Sequence, residues 1–422
     1  MDYYAIISIL MVLSAIFGFI NVRFLKLPTT IGLMVITIIF TLVLVMVGQF
    51  NDTLLMEERQ LIEQIDFKTV LLDIMLSFLL FAGALHTNFE ELRAQRAPVI
   101  VFATLGVLTS TFLVGILMYA LLPFLGVQVD FIYCLLFGSL ISPTDPIAVL
   151  GILKKANAPK RLETKIVGES LFNDGVGVVV FLTIFSIASS PGAGLEPLPI
   201  LKLFAQEVLG GITLGLILGY VTYKLLKAID DYEVEVIITI AAVMGGTLVA
   251  QKLHLSAPLA MVTAGLFVGN DIVRNAAMSE KTESYVDRFW ELVDVLLNTV
   301  LFVLIGMEML ILKFETNYIL AGVIAIPIVL VCRYASLWLP IKFFAKRLDF
   351  VPKTNLIMTW GGLRGGISIA LALSLSQAMY RELFLVVTYI LVIFSVVGQG
   401  LTVGPIIKKL TANIKDSPSE NL

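Results

Sequence analysis

Charge, cysteine and histidine are scarce in this sequence. Only 14% of the 422 residues are charged, the net charge is −3, and two cysteines and two histidines are present. A net charge this small gives no indication of nucleic-acid binding. Cys134 and Cys332 lie far apart inside apolar runs, which argues against a disulfide framework. The enzyme motifs HExxH, GxSxG and GxxxxGK are missing. We therefore expect neither an enzyme nor a bound cofactor.

Long runs of apolar residues make up much of the sequence. The hydrophobic share of 58% and the mean hydropathy of +0.96 predict an all-α polytopic membrane protein surrounded by lipid. Runs of about 20 apolar residues mark transmembrane helices. The scan predicts about 13 spans, at residues 4–22, 28–48, 69–85, 97–122, 131–153, 166–190, 203–226, 234–251, 257–269, 292–312, 317–340, 354–376 and 383–405. No positively charged segment precedes the first run, so it is predicted to be a span rather than a signal peptide.

The segments outside these spans are short. Residues 49–68 mix acidic and apolar side chains, which predicts a short amphipathic helix on the outer surface. Residues 406–422 are predicted to form a short cytoplasmic tail, and no soluble regulatory domain is expected.

The placement of lysine and arginine tests the span count independently. When alternate loops are assigned to opposite sides, 21 of the 29 Lys and Arg residues fall on one side and six on the other. Arg333 and Arg364 lie inside spans. Loops rich in these residues face the cytoplasm. The bias predicts a cytoplasmic C-terminus and an external N-terminus.

The sixth predicted span is unusually polar. Within Gly168–Phe181 it carries Glu169, Ser170, Asn173 and Asp174. Helical spacing puts Glu169 and Asn173 on one face and Ser170 and Asp174 on the neighbouring face. Ionisable groups inside a membrane are costly and usually functional. We interpret this stretch as an ion site; the alternative is a polar contact that only locks two helices together.

Four charged residues on different spans share one predicted depth. Asp174, Asp145 and Arg333 each lie nine residues from a lysine at the cytoplasmic edge, and Arg364 lies eleven residues from one. At about 1.5 Å per helical residue, these distances correspond to roughly 13–17 Å. The sequence therefore predicts that the four charges meet in one layer near the middle of the membrane.

Two predicted spans should be interrupted at this depth. Residues 142–146 read Ser-Pro-Thr-Asp-Pro, and proline breaks or kinks a helix. Residues 361–366 read Gly-Gly-Leu-Arg-Gly-Gly, and each glycine costs about 1 kcal/mol in a helix interior. The two spans are seven apart and so enter from opposite sides. Broken helices in inverted halves indicate a secondary transporter and its site; tight helix packing is the alternative for the glycines.

These motifs together resemble one family. Residues 168–175 (GESLFNDG), 144–146 (TDP), 332–333 (CR) and 361–365 (GGLRG) are similar to the NhaP-type sodium/proton antiporters. That group of cation:proton antiporters includes the animal sodium/hydrogen exchangers. The resemblance covers all thirteen predicted spans.

The resemblance implies an architecture and an assembly. It implies an NhaA-like fold of inverted repeats with two broken crossing helices, a homodimer, and a cell membrane location, which we expect to be a prokaryotic inner membrane. A core moves against a dimerisation scaffold. The implied division is scaffold at 1–92, first core half at 93–190, scaffold and linker at 191–313, second core half at 314–405, and tail at 406–422.

The resemblance also implies roles within the site. Asp174 binds the cation or the proton, Ser170 and the backbone of Thr144 supply further Na⁺ ligands, and Asp145 acts through water. Three residues form a polar brace: Glu169, Asn173 and Arg333. Three others are interpreted as support for the crossing helices: Gly361, Gly362 and Arg364.

The number of titrating groups at the site predicts the ratio of cations to protons exchanged. Asn173 cannot titrate, and Arg333 stays charged and is paired with Glu169. One proton at Asp174 is then traded for one monovalent cation, which is electroneutral. Oxygen ligands serve Na⁺, Li⁺ and K⁺ alike, so a K⁺/H⁺ antiporter is an alternative. A cation channel and an intramembrane aspartyl protease are weaker alternatives. Asp73 and Asp294, near a membrane edge, are predicted to have interfacial or packing roles.

Overall fold

A computed structural model gives the fold. It describes residues 3–48, 69–145, 149, 153, 158–189, 197–309, 312, 314–345 and 350–411. The described residues are helical or connecting, with no β-strand among them. The all-α prediction is confirmed for this part of the chain. The predicted amphipathic helix at 49–68 lies outside the described residues.

The α-helices are numbered here in chain order, from α1 to α18. Their bounds are α1 Tyr3–Ile20, α2 Thr29–Gly48, α3 Leu76–Leu85, α4 Phe89–Ala94, α5 Arg96–Val101, α6 Val107–Leu121, α7 Phe131–Ile141, α8 Lys160–Ala188, α9 Pro197–Leu226, α10 Tyr232–Lys252, α11 Ala257–Val268, α12 Asp271–Ala277, α13 Glu280–Glu308, α14 Thr316–Phe344, α15 Thr354–Trp360, α16 Gly366–Leu373, α17 Arg381–Ile393 and α18 Gly400–Thr411. π-Helical turns extend some of them, as at Thr69–Met75. The last helix runs past residue 406, where the tail was predicted to begin.

Short polar side chains begin several helices. The Asp231 carboxylate accepts from the backbone N–H groups of Glu233 and Val234 at the start of α10. Ser256 caps α11 and Ser279 caps α13 in the same way. Such caps satisfy N–H groups that the first helical turn leaves open. These three helices therefore begin at short polar connections.

Eight described helices are long and apolar enough to cross a membrane. Four shorter apolar helices accompany them, at Thr29–Leu44, Thr69–Leu85, Phe131–Ile141 and Ala257–Val268. The chain is thus a multi-pass helical membrane protein. The count of thirteen spans stays a prediction.

The helices pack as two groups. In the scaffold group (α1–α3 and α9–α13), α3 and α9 pack on α11, and α2 packs on α13. In the core group (α4–α8 and α14–α17), α6 packs on α7 and α14, and α14 packs on α17. The groups meet where α8 contacts α11 and where α13 contacts α16. This boundary passes beside the polar residues of α8.

Candidate functional site

Two interrupted helices meet inside the core group. α7 ends at Ile141, and α15 ends with Gly361 as its C-cap, before α16 resumes at Gly366. Between the broken ends, the backbone N–H of Asp145 donates to the carbonyl oxygen of Leu363 at 2.7 Å. Both interruptions lie at the prolines and glycines that predicted them. Open backbone at membrane depth is tolerated where it is buried in protein or lines a cavity.

Arg364 closes the broken end of α7. Its guanidinium Nη1 donates to the carbonyl oxygens of Ser142 at 2.5 Å and Pro143 at 2.7 Å. The backbone N–H of Arg364 donates to the Ser395 hydroxyl at 2.8 Å. A cation at a helix C-terminus both satisfies open carbonyls and meets the negative end of the helix dipole. Arg364 thus supports the crossing.

Two glycines of the second interruption allow close approach. A Cβ on Gly365 would lie 2.8 Å from Cγ of Asp145, so the carboxylate lies directly against this residue. Gly365 is the N-cap of α16, and the positive end of that helix therefore faces Asp145. A Cβ on Gly362 would lie 3.1 Å from Nε of Arg333 and 3.2 Å from Cγ2 of Thr144. Glycine is required here for space rather than for backbone conformation.

Polar side chains of α8 hold the first interruption. The Thr144 backbone N–H donates to Oδ1 of Asn173 at 3.2 Å, and Nδ2 of Asn173 donates to the Thr144 hydroxyl at 2.8 Å. The Ser170 hydroxyl donates to the Thr144 carbonyl oxygen. All three residues are buried. These bonds of Asn173 go to the broken helix, whereas the resemblance implied a brace with Glu169 and Arg333.

The predicted buried ion pair is present. Nη1 of Arg333 donates to Oε1 of Glu169 at 2.5 Å, and Nη2 donates to Oε2 at 2.8 Å. The two residues are 2% and 1% exposed. This bidentate geometry is the strongest that an arginine and a carboxylate make. It ties α8 to α14 and leaves no net charge at that point.

Asp174 lies one turn beyond Ser170 on α8 and is only 4% exposed. It lines a cavity of about 50 Å³ together with Thr144, Asp145, Asn298 and Gly365. A single water-sized sphere needs about 10–15 Å³. The cavity therefore has room for a small cation and a few water molecules, with carboxylate, hydroxyl and amide groups on part of its otherwise apolar lining.

A wide vestibule leads to this cavity. It has a volume of about 1160 Å³. Among the described residues, seven acidic and two basic side chains line it: Glu91, Glu163, Glu280, Glu283, Asp287, Glu291 and Asp294, with Lys160 and Arg288. Leu171 and Gly83 line both spaces, so the cavity lies directly beneath the vestibule floor. An excess of one charge sign in a concave surface raises the local concentration of the opposite ion.

Two residues of α13 at this site were missed by sequence reasoning. Asp294, for which an interfacial or packing role was predicted, lines the vestibule, and Asn298 lines the cavity. Nδ2 of Asn298 donates to the Asp294 carbonyl oxygen at 2.9 Å and to its Oδ1 at 3.1 Å. The available signal was their i, i+4 spacing, the spacing of Glu169 and Asn173. The side chain of Asp73 lies outside the described residues.

The architecture defines a class. Interrupted helices that cross beside a buried carboxylate, with a vestibule open to one side, are the arrangement of secondary active transporters. A family model described as "Sodium/hydrogen exchanger, transmembrane" matches residues 9–409. The chain belongs to this family.

Named relatives agree with this assignment. The chain is 46% identical over 415 residues to the Na⁺/H⁺ antiporter NhaP of Pseudomonas aeruginosa, with 96% of this chain and 97% of that protein covered. It is 34% identical to the Na⁺/H⁺ antiporter NhaH of Halobacillus dabanensis, with 84% and 86% covered. The solved structure of the sodium proton antiporter MjNhaP1 from Methanocaldococcus jannaschii at pH 8 matches with a TM-score of 0.74 at 20% identity, over 97% of this chain and 99% of that one. This last likeness supports the fold.

Proposed function

We propose that this protein exchanges one monovalent cation, Na⁺ and also Li⁺, for one proton across the cell membrane. The cation and the proton compete for Asp174. One observation carries the proposal: a buried carboxylate lies in a small cavity beside a second carboxylate, at the crossing of two broken helices and below an acidic vestibule. Membership of the sodium/hydrogen exchanger family and the names of the similar proteins support the same function.

The chemistry of the site suits a small hard cation. Such ions prefer oxygen ligands, and the Asp174 carboxylate, the Ser170 hydroxyl and the Thr144 carbonyl supply them. Asp145, which lines the same cavity, acts through water. A buried carboxylate in a low dielectric is costly while its charge is unbalanced. Binding either a proton or a cation balances that charge. An empty, charged site is costly to carry across the membrane, so exchange is obligatory.

Charge balance follows from the neighbours of Asp174. Asn173 does not titrate, and the Glu169–Arg333 pair is neutral as a unit. Asp145 faces the positive end of α16, which balances its charge. One carboxylate thus changes its occupant in each cycle. A one-for-one exchange of proton and monovalent cation moves no net charge.

Transport would proceed by alternating access. In the proposed cycle the core group moves against the scaffold group, and the vestibule, on the side predicted to be cytoplasmic, closes as an opening forms on the opposite side. Thirteen spans, an external N-terminus, a cytoplasmic C-terminus and a homodimer held by the scaffold complete the proposal. The cargo is Na⁺ or Li⁺ and H⁺, and no cofactor takes part.

Replacing Asp174 by Asn tests the proposal. Asn keeps the shape of the side chain but binds no proton and does not balance a cation, so exchange should fall to the level of empty liposomes. The measurement is dequenching of a pH dye in proteoliposomes after addition of Na⁺, Li⁺ or K⁺. The matched control is Glu235→Gln, the same chemical change at a fully buried carboxylate on α10 of the scaffold group. The control should keep exchange. Substantial Na⁺-driven proton movement by a folded D174N protein would refute the role of Asp174.

A further inference from the structure

The cavity around Asp174 has two walls of different character. The core group supplies its charged and hydroxyl-bearing side chains. The scaffold group supplies an almost entirely apolar wall, made of Leu76, Leu79, Leu80, Gly83 and Leu301, with Asn298. Among the described lining residues, Asn298 is the polar side chain that the scaffold group contributes. A cation held by Asp174 therefore meets one polar group on the opposite wall.

The hydrogen bonds of Asn298 determine which of its side-chain atoms can contact an ion in the cavity. The side chain is 5% exposed, and its amide nitrogen donates to both the carbonyl oxygen and Oδ1 of Asp294. An asparagine amide offers two donors on nitrogen and one acceptor oxygen. With the nitrogen directed along α13 toward Asp294, the oxygen is the atom available to an ion in the cavity.

Asp294 lies one helical turn nearer the vestibule. It lines the vestibule wall while Asn298 lines the cavity, so the pair spans the floor that separates the two spaces. Asp145 lines the cavity together with Asn298, so carboxylates lie on both sides of this floor. A cation leaving the vestibule meets the Asp294 carboxylate, then the Asn298 oxygen, then Asp174.

We propose that Asp294 and Asn298 form a scaffold-side cation site. Asp294 holds the arriving monovalent cation at the vestibule floor, and the side-chain oxygen of Asn298 is a direct ligand once the cation reaches Asp174. The inference rests on the proposed function. It gives the bound cation a ligand from each helix group. Movement of the core group away from α13 then removes one ligand and weakens cation binding on the other side.

The test separates cation binding from turnover. Loss of one ligand should raise the apparent KM for Na⁺ in N298L by about tenfold, with a much smaller change in the maximal rate. N298S, which keeps an oxygen, should recover part of the affinity. The Na⁺/Li⁺ preference should shift in both variants, because it depends on the number of oxygens around the ion. Stabilisation of the purified protein by Na⁺ in thermal melts should weaken in parallel, since it follows the binding constant.

Two controls address structure and general electrostatics. Thr299→Val removes a polar group from the next position of α13, where the hydroxyl bonds to the Val295 carbonyl oxygen, and should keep the wild-type KM. Glu291→Gln removes an exposed acid of the vestibule one turn farther out. A change in KM caused only by the overall charge of the vestibule disappears in concentrated choline chloride, because exposed charges are screened. The effect of Asp294→Asn should persist in that salt.

Wild-type KM and cation preference in N298L would overturn the ligand assignment. Equal and salt-sensitive effects of D294N and E291Q would overturn the role of Asp294. If N298L does not fold, the ligand role of Asn298 is tested by the KM of N298S for Na⁺ and by its stabilisation by Na⁺ in thermal melts. Wild-type values of both would overturn the assignment. The proposed function fails separately: exchange by D174N refutes it, whereas an inactive D174N with a wild-type N298L refutes the present inference alone.

Discussion

At the scale of single residues, membrane depth is what reveals the site. Asp174, Glu169 and Arg333 stand out because a charge inside an apolar run has few uses besides ion binding or pairing. In the structure Ser170 donates to the Thr144 carbonyl oxygen at the broken helix, and Glu169 pairs with Arg333. Sequence alone does not give the partner of Asn173. Asparagine bonds equally well to a carboxylate, a guanidinium or backbone, and only the fold brings Thr144 into reach.

Breaking the Glu169–Arg333 pair should destabilise the protein strongly, whereas removing it whole should not. E169Q or R333Q alone leaves a buried charge unpaired, at a cost of about 3–5 kcal/mol. The double variant removes both charges and should recover most of that loss. Thermal melting in detergent, monitored by tryptophan fluorescence, measures all three.

An exposed ion pair provides the control for this double variant. The Glu91 and Lys160 side chains approach to 3.8 Å but are 37% and 85% exposed, against 1% and 3% for Glu169 and Arg333. Exposed pairs contribute about 0–1 kcal/mol. E91Q should therefore change the melting temperature little. Simple addition of the losses from E169Q and R333Q would show that the two side chains do not act as a pair.

At the scale of helices, the interruptions were predictable and their contacts were not. Prolines at 143 and 146 and four glycines at 361–366 are incompatible with two continuous helices. Arg364 closes the end of α7, and Asp145 faces the start of α16. Both contacts depend on how the two interrupted helices cross. Each charge meets the helix end of opposite dipole sign. The sequence shows the charges but not these partners.

Gly365→Ala should impair exchange without unfolding the protein. The added methyl group would lie 2.8 Å from both Cβ and Cγ of Asp145, so it must displace the whole side chain of Asp145. The backbone of Gly365 is extended, with φ at −126°, so alanine itself adopts it without strain. We expect a lower exchange rate and a moderately lower melting temperature in a protein that still folds, from flux and melting assays on one preparation.

Gly245→Ala is the matched substitution. Nothing lies within 4 Å of a Cβ at that position of α10. Alanine favours a helix over glycine by about 1 kcal/mol, so this variant should transport normally and melt no lower than the wild type. Wild-type exchange by G365A would mean that the position of the Asp145 carboxylate is unimportant.

At the scale of the whole molecule, apolar runs predicted a multi-pass helical protein but not how its helices assemble. Hydropathy identifies helices that face lipid or protein alike, so it does not reveal that α3, α8 and α13 enclose the acidic vestibule. The vestibule acids come from segments far apart in the chain, such as Glu91, Glu163 and Glu291. In the sequence each one is an ordinary loop or helix-end charge. Their joint effect on a passing cation exists only in the fold.

The stoichiometry is also a property of the whole molecule. A transporter with one titrating carboxylate moves no net charge, whatever the detail of its conformational cycle. A second titrating carboxylate in the same cavity would add a proton and make the cycle electrogenic. Asp145 is the group that decides between the two cases, because it shares the cavity with Asp174.

The most direct measurement is the rate of Na⁺-driven proton movement at a controlled membrane potential. Proteoliposomes are clamped with valinomycin at zero and at about −100 mV, where each net charge per cycle would contribute about 2.3 kcal/mol. With Asp174 as the single exchanging site, the initial rate should be the same at both potentials, and D174N should show no exchange at either. A clear dependence of the wild-type rate on voltage would contradict one-for-one exchange and would mean that Asp145 titrates together with Asp174.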